Sequence, residues 1–334
     1  MNTLATVQEA CTIDDIRAAA KRLDGQIKTT PLLEATLLNR AAGRRVLIKA
    51  ECLQRTGSFK FRGGWSAVSA LPEDLRRRGV IAFSSGNHAQ GVAHAAEQLG
   101  VPCVILMPND APKLKIANTK AYGAEVVLYD RPGGEDRIAL GAEIAADRGL
   151  TLIAPYDDPM VIAGQGSCGL EIAEQAREAG IEKADVLVCT GGGGLAAGIA
   201  LALEEEAPGL RVRPVEPEGF DDVRRSLIAG RPVGNGEAET ICDAIETPAP
   251  GELTFPILQR LSGPGIAVSD EEALRAMAEA FLRLKIVAEP GGAVALAAAL
   301  YRPEEVEGDA VICTISGGNA DPAMFARALA TVDA

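Results

Sequence analysis

Short runs of aliphatic and β-branched residues alternate with longer segments of helical periodicity along most of the chain. Val80-Ile81-Ala82-Phe83 predicts a strand, followed by a helix through Ala89 to Leu99. Val101 to Met107 predicts the next strand and Lys113 to Tyr122 a helix; Glu125 to Tyr129 and Glu135 to Arg148 repeat the pair. The pattern resumes with a strand at Val186 to Thr190, a helix at Leu195 to Glu205, a strand at Arg211 to Glu216 and a helix at Asp221 to Ala229. A late strand, Val311 to Ser316, precedes a helix from Asp321 to Leu329. This alternation implies a mainly parallel sheet covered by helices. The segment from about Gly230 to Gly265 is rich in Pro and Gly and lacks periodicity, which predicts an irregular excursion rather than a linker. No internal repeat is present.

With 334 residues, 47% hydrophobic and 24% charged, the chain suits a globular protein of about two domains, or one large one. Its formal net charge of −13 comes without a basic stripe, which argues against nucleic acid as a partner. An anionic ligand is still compatible, because backbone dipoles bind anions on an acidic protein. The seven cysteines (Cys11, Cys52, Cys103, Cys168, Cys189, Cys242 and Cys313) include no C-x-x-C pair, and several lie in apolar runs. They predict buried, reduced thiols in a reducing compartment. The first residues carry Glu9, Asp14 and Asp15 with no apolar core of a signal peptide, and no apolar run approaches the ~20 residues of a membrane span. A cytoplasmic protein without a membrane partner is expected.

Lys60 stands in Thr56-Gly57-Ser58-Phe59-Lys60-Phe61-Arg62-Gly63-Gly64, which leads into the apolar stretch Trp65 to Leu71. A lysine framed by glycines and small polar residues at a helix entrance can occupy a confined pocket. Burial there disfavours the ammonium form and leaves a nucleophile or base able to form a Schiff base with a carbonyl cofactor. The plain alternative is a solvated lysine at a helix start.

Two further segments place small residues directly after predicted strands, where parallel sheets bind ligands. Ser84-Ser85-Gly86-Asn87-His88-Ala89-Gln90-Gly91 opens a helix whose free N–H groups attract an anion such as a carboxylate, and Ser84, Ser85 and Asn87 add side-chain donors. An ordinary helix cap would use the same residues. Thr190-Gly191-Gly192-Gly193-Gly194-Leu195 lets backbone N–H groups converge on a phosphate at a helix N-terminus. Read as Gly192-x-Gly194-x-x-Ala197, with Glu216 ending the next strand, the same turn fits a dinucleotide fingerprint. An NAD-dependent oxidoreductase is therefore a rival, although it gives Lys60 and the Ser84–His88 loop no role. Ser316-Gly317-Gly318-Asn319 follows another strand; its serine hydroxyl meets a ligand edge or simply belongs to a turn.

Glu216-Pro217-Glu218-Gly219-Phe220-Asp221-Asp222 clusters oxygen donors without His or Cys. A metal there would be a hard cation such as Mg²⁺ or Ca²⁺; a solvated loop with a capping acid is the alternative. The chain has only two histidines, His88 and His94, so a His-based zinc site is not expected. His94, in mid-helix, is expected to pack or to lie at the surface. No G-x-S-x-G elbow and no G-x-x-x-x-G-K-[ST] loop occurs.

Together these segments resemble the fold-type II family of pyridoxal-phosphate enzymes, in the branch that holds serine/threonine dehydratases and serine racemases. The resemblance runs from about Thr30-Pro31-Leu32 to Asn319. It rests on the joint order of Glu51 to Gly63, Ser84 to Gln90, Tyr156-Asp157-Asp158, Ala163-Gly164-Gln165-Gly166, the tetraglycine, Glu289-Pro290-Gly291-Gly292-Ala293 and Ser316 to Asn319. It implies an α/β, tryptophan-synthase-β-like architecture of two lobes, each a mainly parallel sheet covered by helices. Residues 1–73 plus 155–334 would form the large cofactor-binding domain and 74–154 the small domain, with the site between them, in a homodimer.

At matched positions the resemblance implies that Lys60 holds pyridoxal phosphate as a Schiff base and that Gly191, Gly192, Gly193 and Gly194 bind its phosphate. Asn87 would hydrogen-bond the ring hydroxyl and Ser316 the pyridine nitrogen. Ser84, Ser85, Asn87 and His88 would surround the substrate carboxylate. Glu216, Phe220 and Asp222 match the divalent-cation positions of racemase-like members.

The implied activity is that of a dehydratase (ammonia-lyase) converting a β-hydroxy amino acid to a 2-keto acid and ammonia. Lys60 would remove the Cα proton, and a serine beside the pyridine nitrogen makes the ring a milder electron sink that favours prompt loss of the β-hydroxyl. Ser85 stands where many biosynthetic threonine dehydratases carry alanine. In the racemase-like branch a serine there is the acid/base on the face opposite the lysine, so a serine or aspartate racemase of the same fold is the alternative. Trp65 departs from the smaller residue expected in the family and is read as core packing. Arg137 lies where a relative's contact to a distal carboxylate would fall, with a solvated helix arginine as the plain alternative. Serine, threonine, 3-hydroxyaspartate and a bulkier β-hydroxy amino acid all stay open as substrates.

Overall fold

Two sheets organise the chain in a computed structural model that describes residues 10–84, 86–111, 113–131 and 133–332. The larger sheet contains β1 (Leu32–Glu34), β2 (Arg45–Ala50), β7 (Ala184–Cys189), β8 (Leu210–Pro217), β9 (Ile266–Val268) and β10 (Ala310–Ile315), in the order β1-β2-β10-β7-β8-β9. The smaller contains β3 (Val80–Phe83), β4 (Cys103–Pro108), β5 (Glu125–Tyr129) and β6 (Thr151–Leu152), in the order β5-β4-β3-β6. Every pairing is parallel except β1 with β2. Strands covered by helices on both faces must be apolar throughout, and every residue of β7 is accordingly buried.

β10 lies between β2 and β7. The carboxyl ends of these three strands (Ala50, Ile315 and Cys189) therefore lead into the segments that carry Lys60, Ser316 and the tetraglycine. This is the crevice in which open α/β sheets bind ligands. The small sheet adds the Ser84 loop from the end of β3. Its core takes in Ala67, Val68 and Val161, so helices Lys60–Ala70 and Pro159–Glu178 complete it from outside the span of its own strands.

Helix Pro159–Glu178 is not marked by the pattern of apolar residues. Asp158 caps it by accepting from the N–H groups of Met160 and Val161 at 2.8 and 2.9 Å, with proline at the first position. Its glycines serve close approach rather than a turn. A Cβ on Gly164 would lie 2.5 Å from the Arg62 carbonyl oxygen, and one on Gly166 would lie 3.0 Å from that of Gly198. The predicted strand at 101–107 begins later, at Cys103, because Pro102 has no N–H to give the ladder; its carbonyl instead accepts from Val80 at 2.8 Å. Residues 230–265 are irregular except for helix Thr254–Leu261.

A group of charges lies under the Lys60 helix. Arg62, Glu51 and Lys49 are fully buried, and Glu171 nearly so. Arg62 donates to Glu51 at 2.8 and 2.7 Å and to Glu171 at 2.7 and 2.9 Å. Lys49 reaches Glu171 at 2.5 Å, so two cations are matched by two anions. All seven cysteines are buried, and no helix is long and apolar enough to cross a membrane among the described residues. Trp65 is buried and donates to the Arg22 carbonyl at 2.9 Å. His94 packs between Phe61 and Tyr122.

Candidate active site

Lys60 is the first residue of its helix, and its Nζ donates to the Pro155 carbonyl at 2.7 Å. Burial pushes its amine down to about 8, while the Glu289 carboxylate works the other way. The amine thus gives up its proton far more readily than a solvated lysine does.

Lys60 shares one cavity with Gly191, Gly192, Gly193 and Gly194, together with Phe59, Tyr156, Ile245 and Thr247. The tetraglycine connects β7 to helix Gly194–Glu206, whose first N–H groups have no carbonyl within the helix to donate to. Gly193 is left-handed at φ 95°, which a side chain would disfavour. A Cβ on Gly192 would strike the Tyr156 ring. The loop is tied from behind by Thr254, whose Oγ1 donates to the Gly192 carbonyl at 2.5 Å.

Asn87 opens helix Asn87–Leu99 and is buried. Its Nδ2 donates to Glu289 Oε1 at 2.5 Å, and its Oδ1 accepts from Asn319 Nδ2 at 2.7 Å. Burial pushes the Glu289 carboxyl up to about 7, against the hydrogen bond from Asn87. Ser316, also buried, accepts at its carbonyl from the Phe59 N–H at 3.1 Å, and Ser58 bridges to Gly317. The Ser316 loop is in this way stitched to the segment preceding Lys60.

His88 is buried, with Nε2 2.9 Å from the Ile153 carbonyl. A carbonyl only accepts, so Nε2 carries the proton, and Nδ1 is an acceptor with no partner among the described residues. Burial, followed by the Lys60 charge, pushes His88 down to about 3, so it is neutral at physiological pH. Ser84 Oγ accepts from the Gly86 N–H at 3.1 Å. Ser85 lies outside the described residues.

Glu216, Phe220 and Asp222 are buried together, away from the Lys60 cavity. Among the described residues, no three His, Cys, Asp or Glu side chains converge as a metal cage. Burial and then Asp222 push the Glu216 carboxyl well up, and burial raises Asp222 to about 6. Glu216 accepts from the Val223 and Arg224 N–H groups at 2.9 and 2.8 Å, capping helix Asp222–Ala229. The Gly192-x-Gly194 turn therefore lacks the free acid that a dinucleotide's ribose would need, contrary to the oxidoreductase alternative.

Tyr156, Ile245 and Thr247 are cavity residues that the sequence does not single out. Tyr156 belongs to a motif with no role attached to it, and the other two come from the aperiodic segment. Arg137, exposed at the start of helix Arg137–Arg148, has no carboxylate at ion-pair distance among the described residues, and its charge reaches Tyr156.

Residues 23–318 match the family model described as pyridoxal-phosphate dependent enzyme. The chain is 42% identical over 316 residues to L-threo-3-hydroxyaspartate ammonia-lyase of Saccharomyces cerevisiae, covering 94% of this chain and 95% of that protein. It is 41% identical over 319 residues to serine racemase of Schizosaccharomyces pombe, covering 95% and 97%. The crystal structure of a threonine deaminase from T.th. superposes with a TM-score of 0.86 at 44% identity, covering 93% of this chain and 99% of that one.

Proposed function

The chain belongs to the family of pyridoxal-phosphate dependent enzymes, and from that premise we propose that it is an ammonia-lyase that dehydrates a β-hydroxy amino acid, with 3-hydroxyaspartate as the first candidate substrate. The observation that carries this reading is the cavity holding a readily deprotonated Lys60 against a glycine cradle that side chains would fill. That cradle fits a phosphate, since backbone N–H groups at a helix start are free to donate to one. Lys60 is the anchoring amine, Gly191 to Gly194 hold the phosphate, Asn87 faces the ring oxygen and Ser316 the pyridine nitrogen. Residues 74–154 form the smaller lobe over this site.

When bound, the cofactor supplies an electron sink for the pair left on Cα. Lys60 Nζ takes the Cα proton, which its lowered basicity allows near neutral pH. The Ser84 hydroxyl and the backbone N–H groups of the helix N-terminus at Asn87 and His88 hold the substrate carboxylate, while the neutral His88 ring keeps its one N–H on the Ile153 carbonyl. Loss of the β-hydroxyl as water leaves an enamine, which hydrolyses to a 2-keto acid and ammonia. Arg137, without a carboxylate partner among the described residues and with its charge reaching Tyr156, favours a substrate that brings a second carboxylate.

The similarity to a serine racemase supports a secondary L/D interconversion, with Ser85 as the acid/base on the face opposite Lys60. Unchanged interconversion in Ser85→Ala would refute that role. A hard divalent cation, Mg²⁺ or Ca²⁺, at Glu216, Phe220 and Asp222 is supported by Asp222 Oδ2, a buried acceptor without a partner among the described residues; Glu216 would have to give up a helix-capping bond to Val223 or Arg224 to join it. The buried cysteines Cys52, Cys103, Cys168, Cys189, Cys242 and Cys313, free thiols, support a cytoplasmic location. A homodimer rests on family resemblance.

The test is the visible spectrum of the purified protein, before and after L-serine, L-threonine and L-threo-3-hydroxyaspartate, with keto acid and ammonia measured in parallel. A cofactor band lost in Lys60→Ala, together with keto acid from the hydroxyaspartate, is the expected result. A protein that stays colourless after incubation with pyridoxal phosphate overturns the proposal.

A further inference from the structure

The Asn87 amide is held from two sides in a way that allows it one orientation. Asn319 donates from Nδ2 to the Thr56 carbonyl at 2.8 Å and to Asn87 Oδ1 at 2.7 Å. The Thr56 carbonyl can only accept, so it decides which end of the Asn319 amide is the nitrogen. Both hydrogens of that nitrogen are then engaged, and Asn87 has to meet it with oxygen. On the other side, Asn87 Nδ2 donates to the buried Glu289 at 2.5 Å. One Nδ2 hydrogen remains, with no acceptor among the described residues.

The backbone around this chain of bonds is shaped to it. Thr56 sits in the left-handed region at φ 59°, uncommon for a residue with a side chain, and its carbonyl is the one that Asn319 meets. A Cβ on Gly317 would strike the Glu289 carboxylate and lie 3.0 Å from Asn87 Nδ2. Thr56 lies in the segment before Lys60, and Asn319 lies in the loop after Ser316. The bonds therefore run between the segments that hold opposite parts of the site.

We infer that Asn319 and Glu289 are positioning residues that lock the Asn87 amide so that its one uncommitted N–H points at the ring oxygen of the cofactor. The inference rests on the reading of Asn87 given above. Reversed, the same amide would set a carbonyl oxygen against that ring oxygen, trading a hydrogen bond for repulsion.

A double-mutant cycle with cofactor affinity as its readout tests this, because residues acting through one another are not additive. Apoenzyme is titrated with pyridoxal phosphate, and the visible band of the bound form is recorded. Asn319→Asp keeps the size but cannot donate to Thr56 or Asn87, so Asn87 turns its nitrogen toward residue 319. The expected result is cofactor binding weaker by about tenfold, the loss of one hydrogen bond, with a shifted band. Asn87→Ala should weaken binding to a similar degree, and adding Asn319→Asp to it should change affinity by less than about twofold. The same factor in both backgrounds, or no effect in the unaltered background, overturns the inference and leaves the proposed function standing. If Asn319→Asp does not fold, Asn319→Ala carries the same cycle. An unaltered chain that binds no pyridoxal phosphate overturns both.

Discussion

Glu51→Gln is the sharpest probe of how the Lys60 helix is held. Glutamine keeps the shape and one acceptor but removes the charge. Arg62 and Lys49, both fully buried, are then left with Glu171 as their only carboxylate among the described residues. Removing one partner of a buried ion pair costs about 3–5 kcal/mol, mostly because a charge is left uncompensated away from water. Because the substituted glutamine still accepts one hydrogen bond, the lower end, about 3 kcal/mol, is expected. Urea denaturation with pyridoxal phosphate in equal saturating excess measures it, since loss of cofactor would otherwise add to the effect. The midpoint should fall with the slope unchanged. The Arg62 charge and hydrogen bonds hold the Glu51 pKa below its ordinary value despite burial. Its contribution is therefore present above the unfolded-state pKa and is lost as pH falls through the lower folded-state value. Glu51→Gln should flatten that acid limb. A cost below about 1 kcal/mol would match a solvated surface pair and refute the reasoning.

Gly192→Ala drives a methyl group into the Tyr156 ring, and overpacking of this kind costs about 1–3 kcal/mol, so cofactor binding should weaken by about fivefold to a hundredfold in a pyridoxal phosphate titration. Unaltered affinity would show that the ring swings aside freely. Capture of pyridoxal phosphate by the apoenzyme needs the neutral Lys60 amine, whose pKa is lowered from 10.5 to about 8. The capture rate should rise with pH, falling roughly tenfold for each unit below about 8 and levelling above it. A rate still climbing toward the ordinary lysine value would mean that the amine is solvated.

What is legible from sequence follows what is local. β7 and β10 are apolar runs because both their faces are covered, and the glycines around Lys60 and at 191–194 mark backbone that must turn or come close. β2 escapes such a reading because Lys49 interrupts its apolar run, and that charge finds its carboxylate on helix Pro159–Glu178, far along the chain. The helix itself is hidden because Gly164, Gly166 and Gly169 resemble loop residues until the helices packed against them are known. Ile245 and Thr247 reach the glycine loop from a segment without periodicity, so no local pattern marks them. The capping role of Glu216 requires knowing where its strand points.

Helix Pro159–Glu178 meets the backbone of the lysine helix at Gly164, with the Ser66 side chain beside it, and the helix behind the phosphate cradle where Gly198 lies against the backbone of Ile162 and Gly166. It works as a gauge block between the two. The separation of Lys60 from Gly194 follows its thickness, because at Gly164 and Gly198 backbone comes within reach of backbone. A cofactor whose aldehyde and phosphate ends are a fixed number of bonds apart requires that constancy. Its fit therefore depends on missing side chains along a helix that does not line the cavity at all.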